Sequence, residues 1–139
     1  MGTRLEGSHQ WILVAEDDAE FAALISSAIR GKGYKVMQVG DSKEAVGKLS
    51  KQHFNCVVLD MRFGRGRGED VIAFISRAKK GDFNFNTPII VISGFLEPNV
   101  VKAIGTKVNA ILVKPFSNDI LLTKIEAAMA RPTQRLALK

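Results

Sequence analysis

The stretch Trp11-Ile-Leu-Val-Ala-Glu-Asp-Asp18 contains the start of the repeating unit of this protein. Its first five residues form a short apolar run, which is typical of a strand buried on both faces. Three acidic residues follow, and apolar residues then recur at the spacing of one helix face, at Phe21, Leu24, Ile25, Ala28 and Ile29. The stretch therefore predicts a strand, an acidic turn and an amphipathic helix that ends near Gly31 and Gly33.

The same alternation continues along the rest of the chain. Four further apolar runs are predicted to be strands, at residues 34–39, 54–60, 89–93 and 110–113. Helical patterns follow them at 41–52, 71–78 and 97–106, and a last one is capped by Ser117. Five strand-helix units in about 120 residues predict an open, doubly wound parallel sheet, because a barrel takes about eight units.

Length and composition limit the class of protein. The chain has 139 residues, of which 46% are hydrophobic and 24% charged, as in one globular domain. The single cysteine, Cys56, is expected in the core, and His53 is expected in a solvated loop, so no Cys/His metal site is predicted. No apolar run is long enough to span a membrane, and the N-terminus has no signal-peptide pattern, so we expect a cytoplasmic protein without membrane contact.

The net charge of +6 suggests an acidic partner or a nucleic acid. Part of it lies in residues 1–10 and 131–139, which we expect to be tails flanking one domain at 11–130. Residues 7–9, Gly-Ser-His, are of the kind that an expression tag leaves. The segment Arg62 to Arg67 has three open interpretations: a solvated loop, a docking surface for an acidic partner or phosphoryl donor, and a nucleic-acid contact. We expect the last to be wrong, because interleaved aromatic residues are lacking.

Polar residues stand at the carboxyl ends of the predicted strands, where open α/β sheets bind their ligands. Glu16 and Asp17 follow the first strand, Asp60 closes the third, Ser93 closes the fourth and Lys114 follows the fifth. Clustered carboxylates repel one another unless a proton or a cation is bound, and hard oxygen ligands suit Mg²⁺. The pattern therefore predicts a site for a divalent cation and an incoming phosphoryl group.

These residues resemble the receiver domains of two-component response regulators of the chemotaxis-regulator type. The resemblance covers residues 11–130 and rests on motifs at successive strand ends. The motifs are Glu16-Asp17, Asp60 with Gly68 eight residues later, Ser93, and Lys114-Pro115-Phe116. The resemblance implies a flavodoxin-like (βα)5 fold, an open five-stranded parallel sheet with strand order 2-1-3-4-5.

The resemblance also implies a chemistry. Asp60 would accept a phosphoryl group from a sensor histidine kinase or a histidine phosphotransfer protein. Asp17, Asp60 and the backbone carbonyl of Arg62 would bind Mg²⁺, for which Mn²⁺ can substitute, and Glu16 would bind it through water. Lys114 would contact the transferring phosphoryl oxygens. The protein would catalyse only its own phosphorylation and dephosphorylation.

In the family, phosphorylation acts as a switch. The hydroxyl of Ser93 would turn toward phosphorylated Asp60 and shift the face formed by helix 4, strand 5 and helix 5. That face would then recruit a downstream protein or form a homodimer. Pro115 would follow a cis bond that directs Lys114 into the site.

The sequence departs from the family pattern in four places. Phe63 and Gly64 replace a common Met-Pro pair. Ile111 replaces an aromatic residue that usually changes rotamer on activation, which puts that switch in doubt. The fourth helix is expected to be short and to contain Gly105, and the loop 81–87 is longer than usual, with two phenylalanines expected to be exposed.

Two residues beside the predicted phosphoryl position are expected to alter the lifetime of the phosphate. Arg62 stands two residues after Asp60 and can bind phosphate oxygens, and Phe95 stands two residues after Ser93 and can exclude water. Asp18, the third residue of the acidic run, is expected to cap the first helix rather than to bind metal.

Three rival functions were weighed. A flavin- or nucleotide-binding domain needs a phosphate cradle after the first strand, where this chain is acidic. A phosphatase resembling the haloacid dehalogenases needs a D-x-D motif, but Arg62 occupies the second position after Asp60. A degenerate receiver that acts only as a protein-interaction module stays open. The nine residues after Ala130 hold no output domain, so we expect either a single-domain receiver or the receiver fragment of a larger regulator or hybrid kinase.

Overall fold

The computed structural model describes residues 10–62 and 67–130. Strands and helices alternate throughout these residues, as the apolar runs predict. The strands are β1 (Trp11–Ala15), β2 (Lys35–Val39), β3 (Cys56–Asp60), β4 (Ile89–Ser93) and β5 (Ala110–Val113). The helices are α1 (Ala19–Gly31), α2 (Ser42–Leu49), α3 (Gly68–Ser76), α4 (Pro98–Ile104) and α5 (Asn118–Ala130).

The strands form one parallel sheet in the order β2-β1-β3-β4-β5, which confirms the predicted flavodoxin-like topology. The order in which successive strands are added to the sheet reverses at β1. β2 lies on one side of β1, and β3 lies on the other. In doubly wound sheets the crevice beyond the carboxyl ends at such a switch point is where ligands bind. The acidic residues that follow β1 and close β3 lie at this crevice.

The sheet carries a hydrophobic core on each face. Within β1, Ile12 and Val14 pack into the core under α1 and α5, whereas Leu13 and Ala15 pack into the core under α2, α3 and α4. All four side chains are fully buried. This two-sided burial explains why β1 is apolar at consecutive positions, whereas the edge strand β2 exposes Lys35 and Gln38.

Side-chain caps begin three of the helices. The Asp18 carboxylate accepts hydrogen bonds from the backbone N–H groups of the first turn of α1, which confirms its capping role. Asp41 caps α2, since its Oδ1 accepts from the Glu44 N–H at 2.7 Å. The reciprocal bond of the predicted capping box is shifted by one residue, because Glu44 Oε1 accepts from the Gly40 N–H at 2.9 Å rather than from the Asp41 N–H. Ser117 Oγ accepts from the Ile120 N–H at 3.1 Å and caps α5.

Three predicted helices end earlier in the structure than the pattern indicates, and one of them, α3, begins at Gly68 and ends at Ser76 rather than at residue 78. α2 ends at Leu49 rather than at Gln52. The buried side-chain amide of Asn84 donates hydrogen bonds to the backbone carbonyls of Leu49 and Gln52. α4 ends at Ile104, so the expectation that it contains Gly105 is wrong, and Gly105 instead follows the helix as its cap. Pro98, at the first turn, sets the beginning of this short helix.

A close approach of backbones joins the start of α3 to the end of β3. A Cβ atom at Gly68 would lie 2.7 Å from Met61 Sδ, 2.8 Å from Met61 Cα and 3.2 Å from the Asp60 carbonyl oxygen. Only glycine fits this position without displacement of its neighbours. Gly68 therefore holds α3 against the residue that closes the third strand.

None of the helices in the described residues is both long and apolar enough to cross a membrane.

Candidate active site

Three carboxylates converge at the carboxyl edge of the sheet. One oxygen from each of Glu16, Asp17 and Asp60 lies within 4.8 Å of the others. Glu16 and Asp60 are almost completely buried, at 3% and 4% exposure, whereas Asp17 is open to solvent. The cluster therefore offers two buried carboxylates as possible metal ligands, and a third that is exposed to solvent, from which water and a ligand can enter.

Lys114 brings the positive charge that this cluster needs. Its Nζ lies 2.9 Å from Glu16 Oε1 and 3.3 Å from Asp60 Oδ2, so one ammonium group bridges two buried carboxylates. The bond between Lys114 and Pro115 is cis. The lysine side chain is only a quarter exposed, which leaves little bulk water to screen either contact.

An aromatic pair supports the lysine from the other side. The Phe21 ring, in the first turn of α1, lies 4.4 Å from Lys114 Nζ, a cation–π distance. Phe116 contacts Phe21 edge to face, with centroids 5.9 Å apart and planes at 78°. The helical periodicity places Phe21 only on the apolar face of α1, whereas its position in the first turn, directly after the acidic residues, is the signal that places it beside the site.

Burial and charge change the acidity of the groups in this cluster. Burial raises the pKa of Glu16 to about 7, although hydrogen bonds from Lys114 and from the Asp18 N–H act to lower it. Burial acts to lower the pKa of Lys114, but the hydrogen bond to Glu16 and the charges of Asp60 and Glu16 outweigh it, and that pKa is raised. Lys114 therefore stays cationic, while Glu16 holds or releases its proton near neutral pH.

The backbone after β3 also contacts Asp60. The Arg62 N–H donates to Asp60 Oδ1 at 3.0 Å, and the Arg62 side chain is exposed. Together with Lys114 on Oδ2, this bond gives each oxygen of the Asp60 carboxylate one donor. Residues 63–66 of the arginine-rich segment, and with them the predicted Phe63-Gly64 departure, lie outside the described residues.

Ser93 lies at the end of the strand beside Asp60 but bonds elsewhere. In the paired strands Asp60 stands opposite Ile92, one residue before Ser93. The fully buried Ser93 hydroxyl donates to the Phe95 carbonyl at 3.0 Å and accepts from the Phe95 N–H at 3.3 Å. The Phe95 side chain is 60% exposed, and Ile111 is half-buried in the core on the α2, α3 and α4 face.

Four residues expected to lie outside the active site have the predicted exposure to solvent. Cys56 is fully buried, and this burial raises the pKa of its thiol to about 12. His53 is exposed, and its Nδ1 lies 2.7 Å from the Phe83 carbonyl oxygen. Phe83 and Phe85, the two phenylalanines of the loop 81–87, are 56% and 41% exposed.

The donor set fits a magnesium ion. Carboxylate oxygens are the ligands that Mg²⁺ prefers, and it is usually held by one or two carboxylates with several waters. Here the exposed Asp17 leaves room for such waters, and a dication offsets the repulsion among three carboxylates that Lys114 relieves only in part.

Comparison with known proteins identifies the class to which this fold and site belong. The family model for the response regulator receiver domain matches residues 12–126, and the chain belongs to that family. Receiver domains are signalling domains of two-component systems, which bind Mg²⁺ at an acidic pocket and interact with histidine kinases and downstream effectors.

Individual relatives share this domain. The chain is 30% identical over 130 residues to the transcriptional regulatory protein PdtaR of Mycobacterium tuberculosis, covering 92% of this chain and 60% of PdtaR. It is 32% identical over 125 residues to the regulatory protein VirG of Agrobacterium fabrum, covering 88% of this chain and 47% of VirG. The chain thus spans about half to three fifths of the length of these two relatives.

Solved structures show the same fold. A CheY-like receiver domain from Methanospirillum hungatei matches with a TM-score of 0.78 at 20% identity, covering 88% of this chain and 95% of that one. The receiver domain of the sensor histidine kinase PA1611 from Pseudomonas aeruginosa matches with a TM-score of 0.76 at 25% identity, covering 87% and 98%. That structure has a magnesium ion coordinated in its active-site cleft.

Proposed function

We propose that this protein is a phosphoryl-accepting receiver and that Asp60 is its phosphoacceptor. One observation carries the proposal: the buried Asp60 carboxylate lies beside the carboxylates of Glu16 and Asp17 and 3.3 Å from the Lys114 ammonium. A nucleophile in that position meets both cationic charge and a site for a metal ion. Phosphoryl transfer depends mainly on such positioning and charge neutralisation.

The reaction needs one bond formed and one broken. A carboxylate oxygen of Asp60 attacks the phosphorus of a phosphohistidine, the P–N bond breaks, and its electron pair leaves with the imidazole, which takes up a proton. The product is an acyl phosphate on Asp60. Lys114, 3.3 Å from Asp60 Oδ2 before the reaction, then pairs with an oxygen of the transferred group.

Asp17, Asp60 and the backbone carbonyl of Arg62 would hold Mg²⁺, with Glu16 binding through water, and Mn²⁺ can replace it. When bound, the ion neutralises charge on the phosphoryl oxygens. Glu16 serves the site in a second way, because its 2.9 Å bond to Lys114 keeps the ammonium beside Asp60.

Ser93 links the chemistry to a change of shape. Its hydroxyl bonds to the Phe95 backbone in the present structure, so it must leave those bonds to donate to a phosphoryl oxygen on Asp60. The loop after β4 would move with it, and the change would reach the face formed by α4, β5 and α5. Val113 and Ile120 are exposed apolar residues of β5 and α5, which suits recruitment of a downstream protein or a second copy.

The domain occupies residues 11–130 in this proposal, with tails at 1–10 and 131–139, and the family match over 12–126 supports these limits. Residues 1–9 and 131–139 lie outside the described residues. Because the chain covers 60% of PdtaR and 47% of VirG, any output activity of such longer proteins is a matter for experiment.

The test is phosphorylation by a small donor. The protein is incubated with phosphoramidate with and without Mg²⁺, and intact mass spectrometry detects the adduct. We expect one Mg²⁺-dependent phosphoryl group, absent from Asp60→Asn and retained by Asp82→Asn, which changes an aspartate in the loop before β4. Absence of an adduct on folded wild-type protein would favour the degenerate receiver that acts only through protein contact.

A further inference from the structure

A groove lies on the α2 and α3 side of the sheet, in a part of the molecule that the phosphorylation chemistry does not use. Its volume is about 740 Å³, and it runs between α2, α3 and the loop that joins α3 to β4. Its apolar lining includes Val46 and Leu49 from α2, Phe74 from α3 and Phe83 from the loop. We call it the α2–α3 groove.

The loop that forms one wall is fixed by buried polar contacts. Asn84 Oδ1 accepts from the Phe54 N–H at 2.9 Å, and its Nδ2 donates to the carbonyls of Leu49 and Gln52 at 2.6 and 2.9 Å. Thr87 Oγ1 adds bonds to Asn84 Oδ1 and to the Phe54 carbonyl. Asn84 and Thr87 are each 1% exposed, so these bonds are shielded from water.

This anchoring explains why two aromatic side chains stay at the surface. Phe83 is 56% exposed beside the groove, and Phe85, two residues on, is 41% exposed. An exposed aromatic ring contributes little hydrophobic free energy to folding. Its transfer from water into an interface with a partner is favourable. Because Asn84 is held in the core, the adjacent Phe83 ring at the groove is already in place to receive a partner.

Charge identifies the kind of partner. The lining itself contains Arg77, Asp70 and Asp82, and the charged residues adjacent to it in sequence are Lys48, Lys51, Lys79, Lys80 and Glu69. Asp82 Oδ2 already accepts from the Lys79 N–H at 2.7 Å. Five cations against three acids leave an excess of two positive charges, carried by the lysines at the border, which attracts an acidic partner.

The same charge argues against the occupants that this chain itself can offer. Residues 131–139 contain Arg131, Arg135 and Lys139 and no acidic residue, so this segment is repelled by the cationic border. A second copy carries a net charge of +6 and the same cations. Both would bring like charges together at the groove.

We propose that the α2–α3 groove binds an acidic amphipathic helix of a partner protein. Helices and a loop line the groove, and they present no strand edge there to which an extended segment can add. A helix instead places apolar side chains at i, i+3, i+4 and i+7 along such a groove. Its apolar face packs on Val46, Phe74 and Phe83, and its carboxylates face the lysines. This surface is distinct from the α4, β5 and α5 face and is compatible with phosphorylation of Asp60.

The probe is a pair of fluorescent helical peptides with one shared leucine face, one with glutamates and one with lysines on the other face. Fluorescence anisotropy measures their affinity for the whole chain at low and high salt. We expect the glutamate peptide to bind at least tenfold more tightly than the lysine peptide, and added salt to weaken it.

Variants locate the binding surface. Phe83→Ala should weaken the glutamate peptide about tenfold, since exposed aromatic anchors carry much of the energy of such interfaces. Ala73→Glu, which places a carboxylate in the groove, should weaken it as well, and Lys51→Glu should weaken it about threefold. Leu24→Ala removes a 63% exposed apolar side chain from α1 and should leave the affinity unchanged.

Four results would overturn the proposal, and three of them concern the peptides. These are absence of glutamate-peptide binding to folded protein, equal binding of the two peptides, and retention of binding by both Phe83→Ala and Ala73→Glu. Self-association of the wild-type chain that Phe83→Ala abolishes would assign the groove to a second copy instead, and would also overturn it. Phosphorylation by phosphoramidate is measured in parallel, and its failure would affect the proposed function without bearing on the groove.

Discussion

Replacement of Gly68 by alanine tests how tightly α3 is held against the phosphoacceptor strand. The new Cβ would lie 2.7 and 2.8 Å from the Sδ and Cα atoms of Met61. The Met61 side chain can move, but its Cα is backbone at the end of β3, where Asp60 begins the site. We expect the backbone to shift, with a loss of about 1 to 3 kcal/mol, the usual range for overpacking.

Gly47 is the matched control. It lies inside α2, and a Cβ there would meet nothing within 4 Å. Alanine is favoured over glycine within helices by about 0.5 to 1 kcal/mol, so Gly47→Ala should stabilise the protein by that amount. The two glycine-to-alanine changes should therefore have opposite signs and differ by roughly 2 to 4 kcal/mol in the free energy of unfolding.

Urea denaturation followed by circular dichroism measures both variants, with the denaturant slope checked for constancy. Phosphorylation by phosphoramidate provides a second readout, because the new Cβ would also lie 3.2 Å from the Asp60 carbonyl oxygen. We expect Gly68→Ala to react more slowly under conditions where it is fully folded. Equal stability of Gly68→Ala and wild type would refute the reasoning, since it would show that the end of β3 moves at no cost.

Three further predictions concern the site itself. Phe21→Leu should slow phosphorylation by about three- to tenfold, since it removes a ring 4.4 Å from Lys114 Nζ, whereas Phe21→Tyr should keep the rate; equal rates in the two variants would contradict the cation–π contact. Magnesium affinity, measured by calorimetry, should rise with pH toward about 7 by at most roughly tenfold per unit, because Glu16 must give up the proton that burial retains, and Glu16→Gln should flatten the profile. Phe95→Ala should speed loss of the phosphoryl group several-fold if the ring excludes water, and an unchanged rate of dephosphorylation would show that it does not.

The sign of the Glu16 effect on the metal-free protein follows from the same raised pKa. The folded chain keeps this proton up to about pH 7, whereas the unfolded chain releases it near 4.5. Between those values the folded state binds more protons than the unfolded state, so stability falls as the pH rises. Bound Mg²⁺ favours the ionised form of Glu16 and opposes that loss.

The fold follows from local patterns to a large extent. The continuous apolar runs of β1, β4 and β5 predict their observed limits, because strands covered on both faces have apolar residues at every position. The caps Asp18 and Ser117 follow from residue type and position. The convergence of the acidic residues follows from topology alone, since parallel strands end at one edge of the sheet.

Contacts between distant residues are what the local patterns miss. α2 ends before Gln52. The side-chain amide of Asn84, more than 30 residues away in the sequence, donates hydrogen bonds to the backbone carbonyls of Leu49 and Gln52. The contact between Phe21 and Lys114 joins α1 to β5 and cannot be read from the periodicity of either. The bonds between the Ser93 hydroxyl and the Phe95 backbone are likewise not indicated by the sequence pattern, which predicts only that Ser93 closes the strand next to that of Asp60.

α3 connects the two proposed sites. Its first residue, Gly68, is held against Met61 at the end of β3, and Phe74 and Arg77 at its other end line the α2–α3 groove. α3 is a single nine-residue helix, and rigid elements of this kind can carry coupling between two sites. Any displacement of the β3 end that phosphorylation of Asp60 causes would therefore be carried to the groove. Coupling between two binding equilibria is reciprocal, so a partner in the groove that prefers one position of α3 would change the phosphorylation equilibrium by the same factor.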